Sequence, residues 1–209
     1  MKILAIGAHA DDVEIGCGGS LAKWSDEGHD ITIFTATNSA YTGPDGTLVR
    51  SAEAAATEAA KAAEIIGASL ITGPFDCFSL NFAEPLNATL LNLVEELNPD
   101  MVLTHWEGDT HPDHQALSKA SLHVSRRAPS VLMYASNWYA GTASFEPRFY
   151  VDISEYLERK LELIAVFKSE LNRVGDSWAR HCSAQATAYG LQTGCAYAEG
   201  FRVVKHLMA

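Results

Sequence analysis

Two short windows of the sequence concentrate side chains that can bind a metal ion and move protons. The first is Gly7-Ala8-His9-Ala10-Asp11-Asp12-Val13-Glu14 and the second is Asp109-Thr110-His111-Pro112-Asp113-His114. Together they hold three of the chain's eight histidines and four aspartates. Taken singly, each residue has a bland explanation. An Asp after a buried strand is commonly a helix N-cap, Pro112 suits the first helical position, and a lone His is more often a surface or core residue than a ligand. Their density in two windows is what calls for chemistry.

His9 and Asp12, three positions apart on a turn entering a helix, can point the same way, and His114 can complete a facial set of two imidazoles and one carboxylate. Such a set leaves an open position. With zinc it is a known catalytic arrangement in which a water in the remaining site has its pKa lowered to about 7. Iron(II) oxygenases use the same ligand set, so the residues alone leave the metal open. Asp11, beside a ligand but not needed as one, could accept the proton of that water. His111 could stabilise a developing oxyanion as an imidazolium and protonate a leaving amine, with Asp113 holding its ring and raising its pKa.

These windows need elements to bring them together. Ile3 to Ile6 is an apolar run suited to a strand buried on both faces, and the first window follows it directly. A helix from about Leu21 to Glu27 ends at Gly28 and leads to the β-branched strand Ile31 to Phe34. The alanine-rich segment Ser51 to Ile66, stopped by Gly67, is a helix, followed by a third strand over Ser69 to Ile71. A helix from about Pro85 to Leu97 ends before Pro99, and Met101 to Thr104 makes a fourth strand, with Val131 to Tyr134 a fifth. The second window lies just after strand four.

Alternating strands and helices predict an α/β, Rossmann-like, doubly wound and mostly parallel sheet with helices on both faces. In the common strand order, strands two and three lie on one side of strand one and strand four on the other. Both windows then open on the crevice where such sheets bind ligands. Phe149 to Ile153 reads as a further strand and Glu155 to Ser169 as a helix, while Ser183 to Glu199 has no clear assignment. The tail is most simply part of the same domain, so residues 1–209 are expected to form one. Gly16, Gly18 and Gly19 do not make a dinucleotide fingerprint, because His9, Asp11 and Asp12 occupy the turn where a pyrophosphate would sit. The glycines are expected to allow close helix packing.

The 15 basic and 26 acidic residues give a net charge of −11, which argues against a nucleic-acid partner. Cys17, Cys77, Cys182 and Cys195 form no CxxC pair, so no thiolate zinc site or disulfide framework is expected. The opening Met1 to Ile6 is too short and too soon polar for a secretory signal, and no apolar run is long enough to span a membrane. A soluble cytoplasmic protein follows.

The windows Ala8-His9-Ala10-Asp11-Asp12 and His111-Pro112-Asp113-His114 resemble the two signatures, A-H-P-D-D and H-P-D-H, of the PIG-L/LmbE-like zinc-dependent deacetylases. The resemblance extends to Tyr150-Val151-Asp152-Ile153, Phe167-Lys168-Ser169 and Tyr197-Ala198-Glu199-Gly200-Phe201. It implies Zn2+ held by His9, Asp12 and His114, Asp11 as general base, and His111 with Asp113 as electrostatic histidine and orienting carboxylate. It also implies hydrolysis of an N-acetyl group on a small amino sugar or conjugate. Three positions depart from the pattern or fit it loosely. Ala10 stands where the family has proline, Asp109 stands where some members have a tyrosine, and Arg50 is the nearest match to a substrate-contacting arginine. His105 and Glu107 are near enough to line the pocket but acquire no role, and the segment around Trp138 could stack a sugar or pack inside. The competing expectations are a metallohydrolase or non-heme iron enzyme on another substrate, and an inactive sugar-binding module. The composition is compatible with a homo-oligomer.

Overall fold

The computed structural model describes residues 1–207, and its centre is a seven-stranded sheet. Its strands are β1 (Lys2–Gly7), β2 (Asp30–Thr37), β5 (Ser69–Phe75), β6 (Met101–His105), β7 (Ser130–Tyr134), β8 (Phe149–Asp152) and β9 (Ala198–Lys205), and β3 (Tyr41–Thr42) pairs with β4 (Leu48–Arg50) in a separate hairpin. The helices are α1 (Asp12–Asp26), α2 (Ala52–Ile66), α3 (Glu84–Leu97), α4 (Pro112–Val124), α5 (Leu157–Ala165), α6 (Lys168–Val174) and α7 (Ser177–Thr193).

The strand order is β5-β2-β1-β6-β7-β9-β8. The pairs β1–β2, β1–β6, β2–β5 and β6–β7 are parallel, whereas β9 runs antiparallel between β7 and β8. The doubly wound expectation therefore holds for the first five long strands, and the C-terminal part closes the sheet with an antiparallel edge. The order in which strands are added reverses at β1, with β2 on one side and β6 on the other, so the two windows meet at the carboxyl ends of adjacent parallel strands. Apolar side chains fill both faces. One cluster includes Ile3, Leu103, Tyr134, Leu163 and Phe201, the other Leu4, Ile6, Phe34, Leu90 and Leu117.

The helices show where sequence pattern misleads. α2 begins at Ser51, whose Oγ accepts the Ala54 N–H at 3.1 Å, and ends at Gly67 with φ 80°, as its capping residues demand. α1 starts at Asp12, nine residues before the expected Leu21, because its glycines lie inside it. A Cβ on Gly16 would lie 2.1 Å from the Tyr134 ring, so that glycine is what lets the helix lie against the sheet. The expected helix Glu155 to Ser169 is two helices, α5 and α6, broken around the fully buried Phe167. α7 has no apolar periodicity to read, because its buried stripe is Trp178, Cys182, Ala186 and Gly190. Those residues recur every four positions but are mostly small.

α1 carries a break of its own. Cys17 is non-helical (φ −147°, ψ 15°), which leaves neighbouring backbone groups without helical partners. Two buried charges fill the gap. Glu199 accepts the N–H groups of Gly19 at 3.1 Å and Ser20 at 2.7 Å, and Lys160 Nζ donates to the Ile15 carbonyl at 2.6 Å and to Glu199. Both side chains are almost fully buried, and although burial pushes the Lys160 ammonium toward neutrality, Glu199 holds its pKa above the usual lysine value. Removing one partner leaves the other charge buried alone. Lys160→Met is therefore expected to destabilise the fold by about 3–5 kcal/mol in urea unfolding. Unchanged stability would show that the pair is dispensable.

Candidate active site

β1 ends at Gly7 and the chain turns sharply through His9 to Asp11. Thr37 Oγ1 donates to the Ala8 carbonyl at 2.8 Å, and the Ala10 N–H donates to Ser39 Oγ at 2.9 Å. The second bond explains the residue at position 10, since a proline there would have no N–H to give. Asp11 sits at the α1 N-cap position with φ 126°, a conformation side chains rarely adopt, and its carboxylate makes no cap bond. It is turned instead toward the pocket and toward Arg50, whose Nη1 donates to Asp11 Oδ2 and to the Ala10 carbonyl, both at 2.8 Å.

Across the crevice, α4 begins at Pro112 with His111 as its N-cap, and His111 Nδ1 accepts the Asp113 N–H at 3.2 Å. Three side chains from the two windows converge. His9 Nδ1 lies 3.3 Å from Asp12 Oδ2, His114 Nε2 lies 3.2 Å from Asp12 Oδ1, and the two ring nitrogens are 3.2 Å apart. Ligands at tetrahedral zinc distances of about 2.0–2.1 Å stand about 3.3 Å from one another, so this spacing fits such a cation.

The surrounding hydrogen bonds sharpen the fit. His9 Nε2 faces Asp113 Oδ2 at 3.0 Å and His114 Nδ1 faces Asp109 Oδ2 at 3.0 Å. Each carboxylate draws the ring proton to its own side, which aims the opposite nitrogen's lone pair at the convergence point. Two lone pairs 3.2 Å apart repel unless a cation lies between them. Without a metal a proton fills that need. Burial would lower both histidines, but Asp113 and Asp12 raise His9 well above its ordinary value, while Asp12 and Asp109 raise His114 to about 9. Burial would raise Asp12, but the His114 charge holds it well below the usual carboxylate range. Ser136 Oγ donates to its Oδ1 at 2.9 Å.

Other histidines lie close enough to be considered as ligands. His105 Nε2 accepts the Ala8 N–H at 3.0 Å, which occupies its lone pair, and its ring stacks on His114 with centroids 3.9 Å apart. Burial lowers its pKa, so it is a neutral ring that braces the His114 ring. His111 has given its Nδ1 lone pair to the Asp113 N–H, which places its proton on Nε2, the nitrogen left free for the pocket it lines.

Several sequence expectations change here. Asp113 was expected to hold the His111 ring. Its carboxylate instead bonds His9 Nε2 and the N–H groups of Phe78 at 2.6 Å and Leu80 at 3.0 Å, because α4 begins between His111 and that carboxylate. Burial would raise Asp113, but those bonds hold it below the usual range. His111 is not a ready imidazolium: burial and the charges of His114 and His9 bring its pKa down to about 4. Arg50, expected at the substrate, is 2% exposed and is spent on Asp11, Ala10 and Glu58, the last at 3.1 Å. Neither His105 nor Glu107 is at the pocket wall; Glu107 pairs on the surface with Arg202 at 2.7 Å. Trp138 and Tyr139 do line the pocket, whose volume is about 320 Å³, while Tyr134 is core. Asp109, read only as a missing tyrosine, is the carboxylate partner of a ring, and its place two residues before His111 was the available signal.

Burial and the neighbouring Asp12 charge raise the proton affinity of Asp11, while Arg50, 2.8 Å away, and His9 oppose them and favour the carboxylate. A carboxyl so placed, beside residues that could hold a cation and an imidazole N–H, is suited to moving protons.

Comparison with known proteins identifies the family. The chain is 28% identical to the diacetylchitobiose deacetylase of Thermococcus kodakarensis over 97% of its own length and 83% of the relative's. It is 32% identical to the Escherichia coli protein named uncharacterized deacetylase YaiS, over 80% and 90% of the two chains. Its fold superposes on the N,N'-diacetylchitobiose deacetylase of Pyrococcus horikoshii with a TM-score of 0.83 at 22% identity, covering 97% and 83% of the two chains. The model of the GlcNAc-PI de-N-acetylase family, PIG-L, matches residues 4–125, which include both windows, and the chain belongs to that family.

Proposed function

We propose that the chain is a zinc-dependent N-deacetylase that hydrolyses the acetamide of a small amino sugar or amino-sugar conjugate. The observation that carries the reading is the convergence of His9 Nδ1, the Asp12 carboxylate and His114 Nε2, with Asp11 alongside. His9, Asp12 and His114 would hold the metal, and when bound it supplies Lewis acidity toward the carbonyl and a water acidic enough to attack near neutral pH. Asp11 takes the proton released as the water oxygen joins the carbonyl carbon. Arg50 keeps its carboxylate aimed at the pocket.

The His111 Nε2–H donates to the oxygen on which negative charge develops, a role for a neutral imidazole. The Asp113 carboxylate bonds His9 rather than the His111 ring, so the amine leaves with the proton returned by Asp11 as the C–N bond breaks, giving acetate and a free amine. Asp113 and Asp109 fix the two ligand rings. Asp109→Asn is expected to weaken zinc affinity about 10- to 100-fold, read by competition with a chromophoric chelator. An unchanged affinity would remove Asp109 from this role.

Among the described residues no helix is long and apolar enough to cross a membrane. The free thiols of Cys17 and Cys182, both buried, suit the reducing cytoplasm in which we place the enzyme. Release of primary amine from N-acetylglucosamine and its disaccharide tests the reaction. Metal-loaded protein that releases amine from no N-acetylated sugar would contradict it.

A further inference from the structure

Phe78 stands out at the pocket mouth for two independent reasons. Its backbone is left-handed, with φ 61°, a conformation that is a true outlier for a bulky residue. Its ring is 63% exposed, although an aromatic of this size normally withdraws from water. Asp113 holds this turn, since its carboxylate receives the Phe78 and Leu80 N–H groups at 2.6 and 3.0 Å. The same Asp113 oxygen that binds Phe78 faces His9 Nε2. One carboxylate thus ties the strained turn to the metal-ligand ring. The Phe78 ring stands over His111 with centroids 5.2 Å apart and an interplanar angle of 30°, and Tyr41 meets its ring at 80°. Strain held in place by a residue of the reaction centre, presenting an exposed ring beside it, is the pattern of a substrate contact.

We infer that Phe78 is a specificity-determining residue that stacks on the apolar C–H face of the pyranose carrying the acetamide. This rests on the deacetylase reading above and adds to it the residue that selects a ring-shaped substrate over an open-chain acetamide. The electron-rich face of an aromatic ring attracts polarised C–H groups, and an acyclic N-acetyl amine has no such face to offer.

The test measures binding without turnover, in metal-loaded protein carrying Asp11→Asn, by ligand-observed NMR titration of N-acetylglucosamine and of N-acetylethanolamine. Phe78→Asn is the informative variant, because asparagine tolerates the left-handed backbone while removing the ring. It is expected to melt no lower than its parent and to bind N-acetylglucosamine about three- to tenfold more weakly, with N-acetylethanolamine unchanged. Phe78→Tyr, which keeps an aromatic face, should bind the sugar within about twofold of the parent. Equal sugar binding by Phe78→Asn, or equal weakening of both ligands, would overturn the inference alone. A metal-loaded Asp11→Asn parent that binds neither ligand would overturn the deacetylase reading and this inference with it.

Discussion

Asp11→Asn is expected to lower kcat by about 10²- to 10⁴-fold while the protein keeps its metal and its fold. Asparagine keeps an oxygen for Arg50 and tolerates an unusual backbone better than most residues, so the turn at φ 126° should persist. What it loses is the ability to take a proton. Asp11→Ala would be less informative, because it leaves the Arg50 guanidinium buried with only Glu58 as its carboxylate partner. Steady-state kinetics together with metal analysis separates the two effects. Full activity in a metal-replete Asp11→Asn protein would show that another group accepts the proton.

His114→Ala should be the most damaging change to metal binding. It removes one of the three converging side chains proposed as ligands, and the loss of affinity should exceed the about 10- to 100-fold that follows loss of an outer partner such as Asp109. The fold should survive, because His114 lies in the first turn of α4 and its ring packs mainly on His105, His111 and His9 rather than on the apolar core. In the absence of metal the variant is even expected to relieve charge repulsion among those rings. Metal content by atomic emission after gel filtration, with circular dichroism as the control for folding, reads the result. Retention of stoichiometric metal would remove His114 from the ligand set.

The site was legible in the sequence to the extent that residue type and strand position determine it. His9, Asp12 and His114 meet because β1 and β6 are neighbours and each window follows a strand carboxyl end, and both facts can be read from apolar runs. Partner choice within the site was not legible. Asp113 is next to His114 and two residues from His111 along the chain, yet its side chain belongs to His9, 104 residues away. Such pairings depend on helix direction and on the angle at which α4 leaves the second window. Arg50 illustrates the same limit: the small hairpin β3–β4 delivers it under Asp11, and neither that hairpin nor its approach has a sequence signal strong enough to read. In the C-terminal part, α7 was hidden because it buries small residues, and α1 was shortened because glycines that break isolated helices here permit contact with Tyr134.

The Glu199–Lys160 pair links those two regions. Residues from β9 and α5 complete the backbone hydrogen bonding at the break in α1, five residues beyond Asp12. The break in α1 is thereby braced by parts of the chain that lie outside the residues matched by the family model.

The most direct test of metal-dependent deacetylation is amine release from N-acetylglucosamine disaccharide by protein stripped with a chelator, dialysed, and then titrated with zinc. Activity should vanish on stripping and return in proportion to zinc up to one equivalent per chain. Stripped, metal-free protein that still releases amine at the original rate would contradict a catalytic metal at His9, Asp12 and His114.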